Sequence, residues 1–127
     1  MFDNAVLSEA AMAVDPSDDG RHELPATAFG RESIPYIVVL PEHGLAFFTY
    51  TWVSADSVAG AAFALFGPGL GGDPIQQRIA DRPVPRNMGF DNWVIDGFSM
   101  KQDLQFDRAE LRWETPEATV EFSFEAF

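Results

Sequence analysis

Arg31-Glu32-Ser33-Ile34-Pro35-Tyr36-Ile37-Val38-Val39-Leu40 leads through Pro41-Glu42-His43-Gly44 into Leu45-Ala46-Phe47-Phe48-Thr49-Tyr50-Thr51-Trp52-Val53. Two β-branched and aromatic runs joined by a Pro/Gly-bearing turn spell a β-hairpin. The expected strands are Ile34–Leu40 and Leu45–Val53. In the second, Phe48, Tyr50 and Trp52 share one face, and Leu45, Phe47, Thr49, Thr51 and Val53 share the other. A half-exposed strand is apolar on one face only. Here aromatic rings occupy both faces, so one face packs a core and the other covers something else.

Downstream, Ser54-Ala55-Asp56-Ser57 is a turn and Val58–Phe66 a third strand. Its Gly60, Ala62 and Ala64 leave room for a neighbour or ligand to approach closely. Gly67 to Gly72 is a loop. Asp73 as N-cap and Pro74 at the first helical position predict a short helix through Ala80. Residues 81–91 read as irregular. Further strands are expected at Trp93–Lys101, at Leu104–Asp107 continuing after a turn or bulge as Glu110–Glu114, and at Ala118–Phe127. The last three carry the cleanest period-two pattern. It places Leu104, Phe106, Leu111, Trp113, Val120, Phe122 and Phe124 on the buried face. Upstream, Val6–Val14 reads as a short helix with Ser8 as its cap, 15–20 as a loop, and 21–32 as an extended approach.

The chain thus divides into an N-terminal segment, 1–20, short-helical or poorly ordered, and one β domain, 21–127. Strands joined by short turns, without a crossover helix, make an all-β antiparallel meander. Six or seven strands fall short of the eight or so that close a ligand-sized barrel. The expected architecture is therefore a partly open or partner-completed barrel. What completes it would be a second copy, in a homo-oligomer, or a missing second domain.

Composition narrows the function. The chain of 127 residues is 46% hydrophobic and 13% aromatic, which excludes disorder. It lacks cysteine, so it has no disulfide framework, thiolate metal site or Cys nucleophile. A net charge of −12 repels phosphate backbones, so no nucleic-acid partner is expected. No apolar run reaches the roughly 18 residues that span a bilayer, so the protein is not expected to be membrane-spanning. The N-terminus lacks a basic signal-peptide start, which makes cytoplasmic the default location. Two histidines 21 residues apart make no metal site, and no cofactor is expected.

His22-Glu23-Leu24-Pro25, Arg31-Glu32-Ser33, Pro41-Glu42-His43-Gly44-Leu45 and Asp91-Asn92-Trp93-Val94-Ile95-Asp96-Gly97-Phe98 stand in an order that resembles the N-terminal half of certain lipocalin-like proteins. These are the group around carotenoid 1,2-hydratase (hydroxyneurosporene synthase), the AttH-like proteins and certain Diels–Alderases. The resemblance covers about residues 21–127 and rests on the order of short motifs. It implies the first of two barrel-like domains, holding a lipophilic ligand in or between barrels. The Gly-Gly usual after the hairpin turn is Ala46-Phe47 here, and the second domain is absent. Much of a hydratase's catalytic equipment would lie in that second half.

Gly67, Gly69 and Gly72 satisfy G-x-G-x-x-G after a strand, but no parallel sheet or full helix surrounds them, and a flexible loop or a lid explains them better. Asp96 falls in an otherwise apolar run. There it is a buried acid able to protonate an alkene, or an outward carboxylate beside Val94 and Phe98 on a mixed solvent face, or a partner of Arg112. His43 is a candidate acid or base, or an exposed turn residue. Arg31 and Glu32 read as a structural ion pair or as a strand-entry hydrogen bond. Tyr36, Phe48, Tyr50, Trp52, Phe63 and Trp93 are the candidate ligand-lining residues, with Asp96 and His43 as candidate catalytic ones.

The leading expectation is binding of a lipophilic small molecule, of terpenoid, steroid or polyketide class, in an aromatic-lined cavity. Hydratase or cyclase chemistry on that molecule would be its enzymatic form. The competing expectation is an interaction module that uses its aromatic sheet face as a homodimer interface.

Overall fold

The computed structural model describes residues 15, 20–26, 30–105 and 107–126. The expected Val6–Val14 helix and the buried position of Phe106 lie outside them. The strands, in order, are β1 (Arg31–Leu40), β2 (Leu45–Ser54), β3 (Val58–Phe66), β4 (Ile75–Pro83), β5 (Trp93–Ile95), β6 (Phe98–Gln102), β7 (Arg108–Glu114) and β8 (Thr119–Glu125). They form two antiparallel sheets, β1-β2-β3-β4 and β5-β6-β7-β8, each a meander of neighbouring strands. The all-β, partly open architecture is as expected, with eight strands rather than six or seven. Among the described residues, no strand pairing closes the sheets into a barrel.

The first hairpin forms because its two runs pair throughout, from Arg31 opposite Ser54 to Leu40 opposite Leu45. Pro41–His43 make one 3₁₀ turn, and Gly44 takes the left-handed conformation that turns the chain back. Gly69 then donates its backbone N–H to the Gly44 carbonyl at 2.9 Å. The Gly-rich loop is thus a brace on the hairpin. A strand follows it, and no phosphate-binding helix.

Three expected elements are corrected. Residues 73–80 do not form a helix. Ile75 and Ile79, four apart, fit one helix face and equally one strand face, and the open edge of β3 decides between them. Leu65 pairs with Ile75 and Ala61 with Ile79. A bulge at Ala80-Asp81 sets Asp81 at φ +56 before Arg82 pairs with Ala59.

Trp93–Lys101 is not one strand. Ile95 pairs with Phe98, so Asp96-Gly97 is the two-residue connection of a tight hairpin, with Asp96 at φ +47. A Cβ on Gly97 would stand 2.4 Å from the Glu114 carbonyl oxygen, so only glycine fits there. Leu104, Gln105 and Asp107 are not in a strand either. Leu104 has φ +57, and the Asp103 carboxylate accepts the backbone N–H groups of Gln105 at 3.0 Å and Asp107 at 3.4 Å.

The core lies between the sheets. Phe47, Val53, Ala61, Phe63 and Ile79 meet Trp93, Ile95, Phe98, Met100, Leu111 and Trp113. The ring centroids of Phe63 and Trp113 are 4.8 Å apart, those of Phe98 and Trp113 5.0 Å, and those of Phe47 and Phe63 5.5 Å. Two buried threonines on β2 reconcile the indole N–H groups with this apolar interior. Trp113 Nε1 donates to Thr49 Oγ1 at 2.9 Å and Trp93 Nε1 to Thr51 Oγ1 at 2.8 Å. Among the described residues, every buried side-chain polar atom has a partner.

Candidate functional site: the outer face of the first sheet

The interior is occupied by side chains, and this reassigns two candidate lining residues. Phe63 is 3% exposed and Trp93 fully buried, and both pack core rings. Tyr36 also points between the sheets. Its hydroxyl donates to Gln102 Oε1 at 2.7 Å, and its ring stacks on Phe124 at 5.4 Å. It borders a solvent-open cleft of about 290 Å³ with Gln102, Arg108 and Phe124.

Phe48, Tyr50 and Trp52 come together on the other side of β2. Their rings form a ladder, with centroids 5.6 Å apart for Phe48–Tyr50 and 5.1 Å for Tyr50–Trp52. The small residues of β3 support it, because Phe48 lies opposite Ala64, Tyr50 opposite Ala62 and Trp52 opposite Gly60. A Cβ on Gly60 would stand 2.2 Å from Trp52 Cζ2, so the indole lies directly over the glycine. The room foreseen at Gly60, Ala62 and Ala64 is filled by the chain's own rings.

Two guanidiniums gather on that indole. Arg31 Cζ is 4.6 Å from the ring centroid and Arg78 Cζ 5.0 Å. Such contacts contribute about 0.5–1 kcal/mol each at exposed sites. Arg31 therefore does not pair with Glu32. Glu32 accepts the backbone N–H of His22 at 3.1 Å and meets His22 Nδ1 at 2.5 Å.

Toward the hairpin turn the same face is apolar and open. Ile37 is 65% exposed, Val39 62% and Phe66 43%. Ile37 lies opposite Phe48, and Ala46 lies opposite both Val39 and Phe66, so these side chains form continuous rows across the sheet. The outer face of the second sheet is of another kind. Arg112 bonds Glu121 at 2.6 Å and approaches Glu114 at 3.5 Å, and Arg108 approaches Glu125 at 3.5 Å. The Glu121 hydrogen bond holds the Arg112 guanidinium above its ordinary pKa. One sheet faces outward with ion pairs, the other with rings and aliphatic groups.

The two candidate catalytic residues are not brought together. Asp96 is a turn residue, not part of an apolar strand, and its side chain is 53% exposed. It accepts a 2.8 Å hydrogen bond from Arg82 Nε, not from Arg112. Arg82 pairs with Ala59, at the Val53 end of the first sheet. His43 is exposed in the hairpin turn, at the Leu45 end.

Arg78, Ile37, Val39 and Phe66 were not singled out in the sequence, and Arg31 was considered only together with Glu32. The available signal was Ile37-Val38-Val39, an apolar run on both faces of β1, matching the two-faced β2 beside it.

Among the described residues, no group of three or more His, Cys, Asp or Glu could hold a metal ion. No helix among them is long and apolar enough to cross a membrane. No curated protein and no solved structure matches the chain. Residues 15–127 match the family described as Domain of unknown function (DUF7064), and the chain belongs to that family.

Proposed function

We propose that this domain is an interaction module and that its first sheet docks, outer face to outer face, on a second copy of the chain. The observation that carries the reading is the exposed apolar patch of Ile37, Val39 and Phe66, which runs on into the half-buried Phe48 and Tyr50, with Trp52, 7% exposed, closing the far end beneath Arg31 and Arg78. Contiguous apolar surface of this kind marks interaction sites on soluble domains. Sheets pack face to face about 10 Å apart when their facing side chains are apolar.

Charge favours a second copy as the occupant. The chain carries 20 acidic residues, yet no outward position of β1, β2 or β3 is Asp or Glu, nor is Gln76 or Arg78 of β4. Two molecules of charge −12 repel wherever acidic surface meets acidic surface. The outer face of the first sheet is where two copies approach without that penalty.

A lipophilic small molecule is the competing occupant. Small-molecule sites are concave and bury most of the ligand. The space between the sheets is taken by Phe63, Trp93 and Trp113, so such a ligand would lie on the outer face instead. The eight-strand meander supports kinship with the lipocalin-like group, with the barrel opened into two sheets. Hydratase or cyclase chemistry would require Asp96 to act from a solvent-facing turn, which does not favour it.

Sedimentation velocity across a range of concentrations tests the proposal, with Ile37→Glu beside the parent chain. The expected result is a parent mass rising toward two chains, while Ile37→Glu stays single with unchanged circular dichroism. A single-chain mass throughout rejects the dimer. Native mass spectrometry of protein from its own host then tests the lipophilic occupant, as extra mass released on denaturation.

A further inference from the structure

The geometry points to Arg31, Trp52 and Arg78 as a carboxylate receptor that takes Glu42 of a second copy, and this rests on the docking reading above. Both guanidiniums lie within 5.0 Å of one indole centroid. No described carboxylate pairs with either, although the chain has 20 acids for 8 Lys and Arg. Elsewhere in the chain Arg82 pairs with Asp96, Arg108 with Glu125, and Arg112 with Glu114 and Glu121. Two like charges on one ring repel, and the ring quadrupole offsets only part of that. A carboxylate between them would neutralise the pair, and a guanidinium fork is suited to bind it through two hydrogen bonds.

The remainder of the face indicates which carboxylate. Its long axis runs along β2, from Trp52 to the hairpin turn, and the two ends differ in charge. Arg31 and Arg78 stand at one end, and the exposed Glu42 stands in the turn at the other. A two-fold axis in the interface, running across the strands, reverses strand direction between copies. Placed at Phe48, it sets Trp52 of one copy against Gly44 of the other, each about 13 Å from the axis at the usual strand rise. Glu42 then reaches the receptor, and the symmetry makes the contact twice.

A double-mutant cycle on the dimerisation constant tests this, using Arg78→Gln, Glu42→Gln and the double variant in sedimentation equilibrium. Circular dichroism checks that each fold is intact, as expected for exposed positions. Each single variant should weaken dimerisation about tenfold or more, with the double variant no weaker than the singles. Arg78→Glu combined with Glu42→Arg should recover a large part of the loss. If the parent dimerises but the effects are absent, or simply multiply, the receptor is overturned while the docking face stands. If the parent is a single chain at every concentration, the docking reading fails and the receptor fails with it.

Discussion

Trp113 of β7 donates its indole N–H to the Thr49 hydroxyl of β2 at 2.9 Å, and the Thr49 hydroxyl in turn donates to the Ala62 carbonyl on β3 at 2.8 Å. Trp93, Thr51 and Gly60 repeat the relay, at 2.8 Å and 2.7 Å. Both threonines are fully buried. The two sheets are therefore joined through the core by directional bonds as well as by ring packing. A buried indole N–H with no acceptor would cost about 1–3 kcal/mol.

Thr49→Val keeps the shape of the side chain and removes the acceptor. The expected loss of stability is about 1–3 kcal/mol, read as a lower urea midpoint with an unchanged slope. A loss under about 0.5 kcal/mol would mean that Trp113 finds another acceptor, and that the relay does not hold the sheets.

The first hairpin was legible in the sequence because β-branched and aromatic density, a Pro/Gly turn and a two-faced pattern all agreed there. The period-two run of β7 and β8 was legible for the same reason, except that Phe124, expected on the buried face, is 37% exposed. Residues 73–83 were not. Asp73-Pro74 is a sound helix start, and the Ile75/Ile79 spacing suits either structure, so only the unpaired edge of β3 decides. The apolar run around Asp96-Gly97 hides a tight turn, so the strand placement of Asp96 fails while its outward, solvent-facing reading holds. The candidate site was half legible. The Phe48–Tyr50–Trp52 stripe showed in the sequence, but Arg78 reaches Trp52 across two strand pairings that no local pattern encodes.

Gly60→Ala tests the packing beneath the ladder. The new methyl would meet Trp52 Cζ2 at 2.2 Å and the Ile79 carbonyl oxygen at 2.6 Å. The ring can swing away but the carbonyl cannot do so without disturbing β4. Overpacking of this kind costs about 1–3 kcal/mol. The expected readout is a lower melting temperature together with a red-shifted tryptophan emission as Trp52 lifts from the sheet. A shifted emission at unchanged stability would mean that the bulge beside Gly60 absorbs the methyl.

Asp96 tests the hairpin turn itself. Its ion pair with Arg82 is more than half exposed on both sides, so Asp96→Asn should change stability by less than about 1 kcal/mol. Asparagine also tolerates the left-handed conformation. Valine does not, and at φ +47 Asp96→Val should cost about 1–2 kcal/mol. Thermal melts of the two variants side by side separate a conformational role from a charge role. Equal losses would place the importance of Asp96 in its carboxylate.

Asp103 gives the pH dependence a sign. The backbone N–H of Gln105, then those of Arg108 and Asp107, favour its ionised form and hold its pKa below the ordinary 3.8, against a smaller opposing effect of burial. The folded state thus binds the Asp103 proton more weakly than the unfolded chain does. The stabilisation is fully present above 3.8 and is lost as pH falls through the lowered folded value. A carboxyl-carbon NMR titration of the folded domain should place the Asp103 midpoint below 3.8. Asp103→Asn should flatten the acid limb of the stability curve over that interval and leave it unchanged in shape near neutrality. A midpoint at or above 3.8 would mean that these amides do not bind the Asp103 carboxylate in solution.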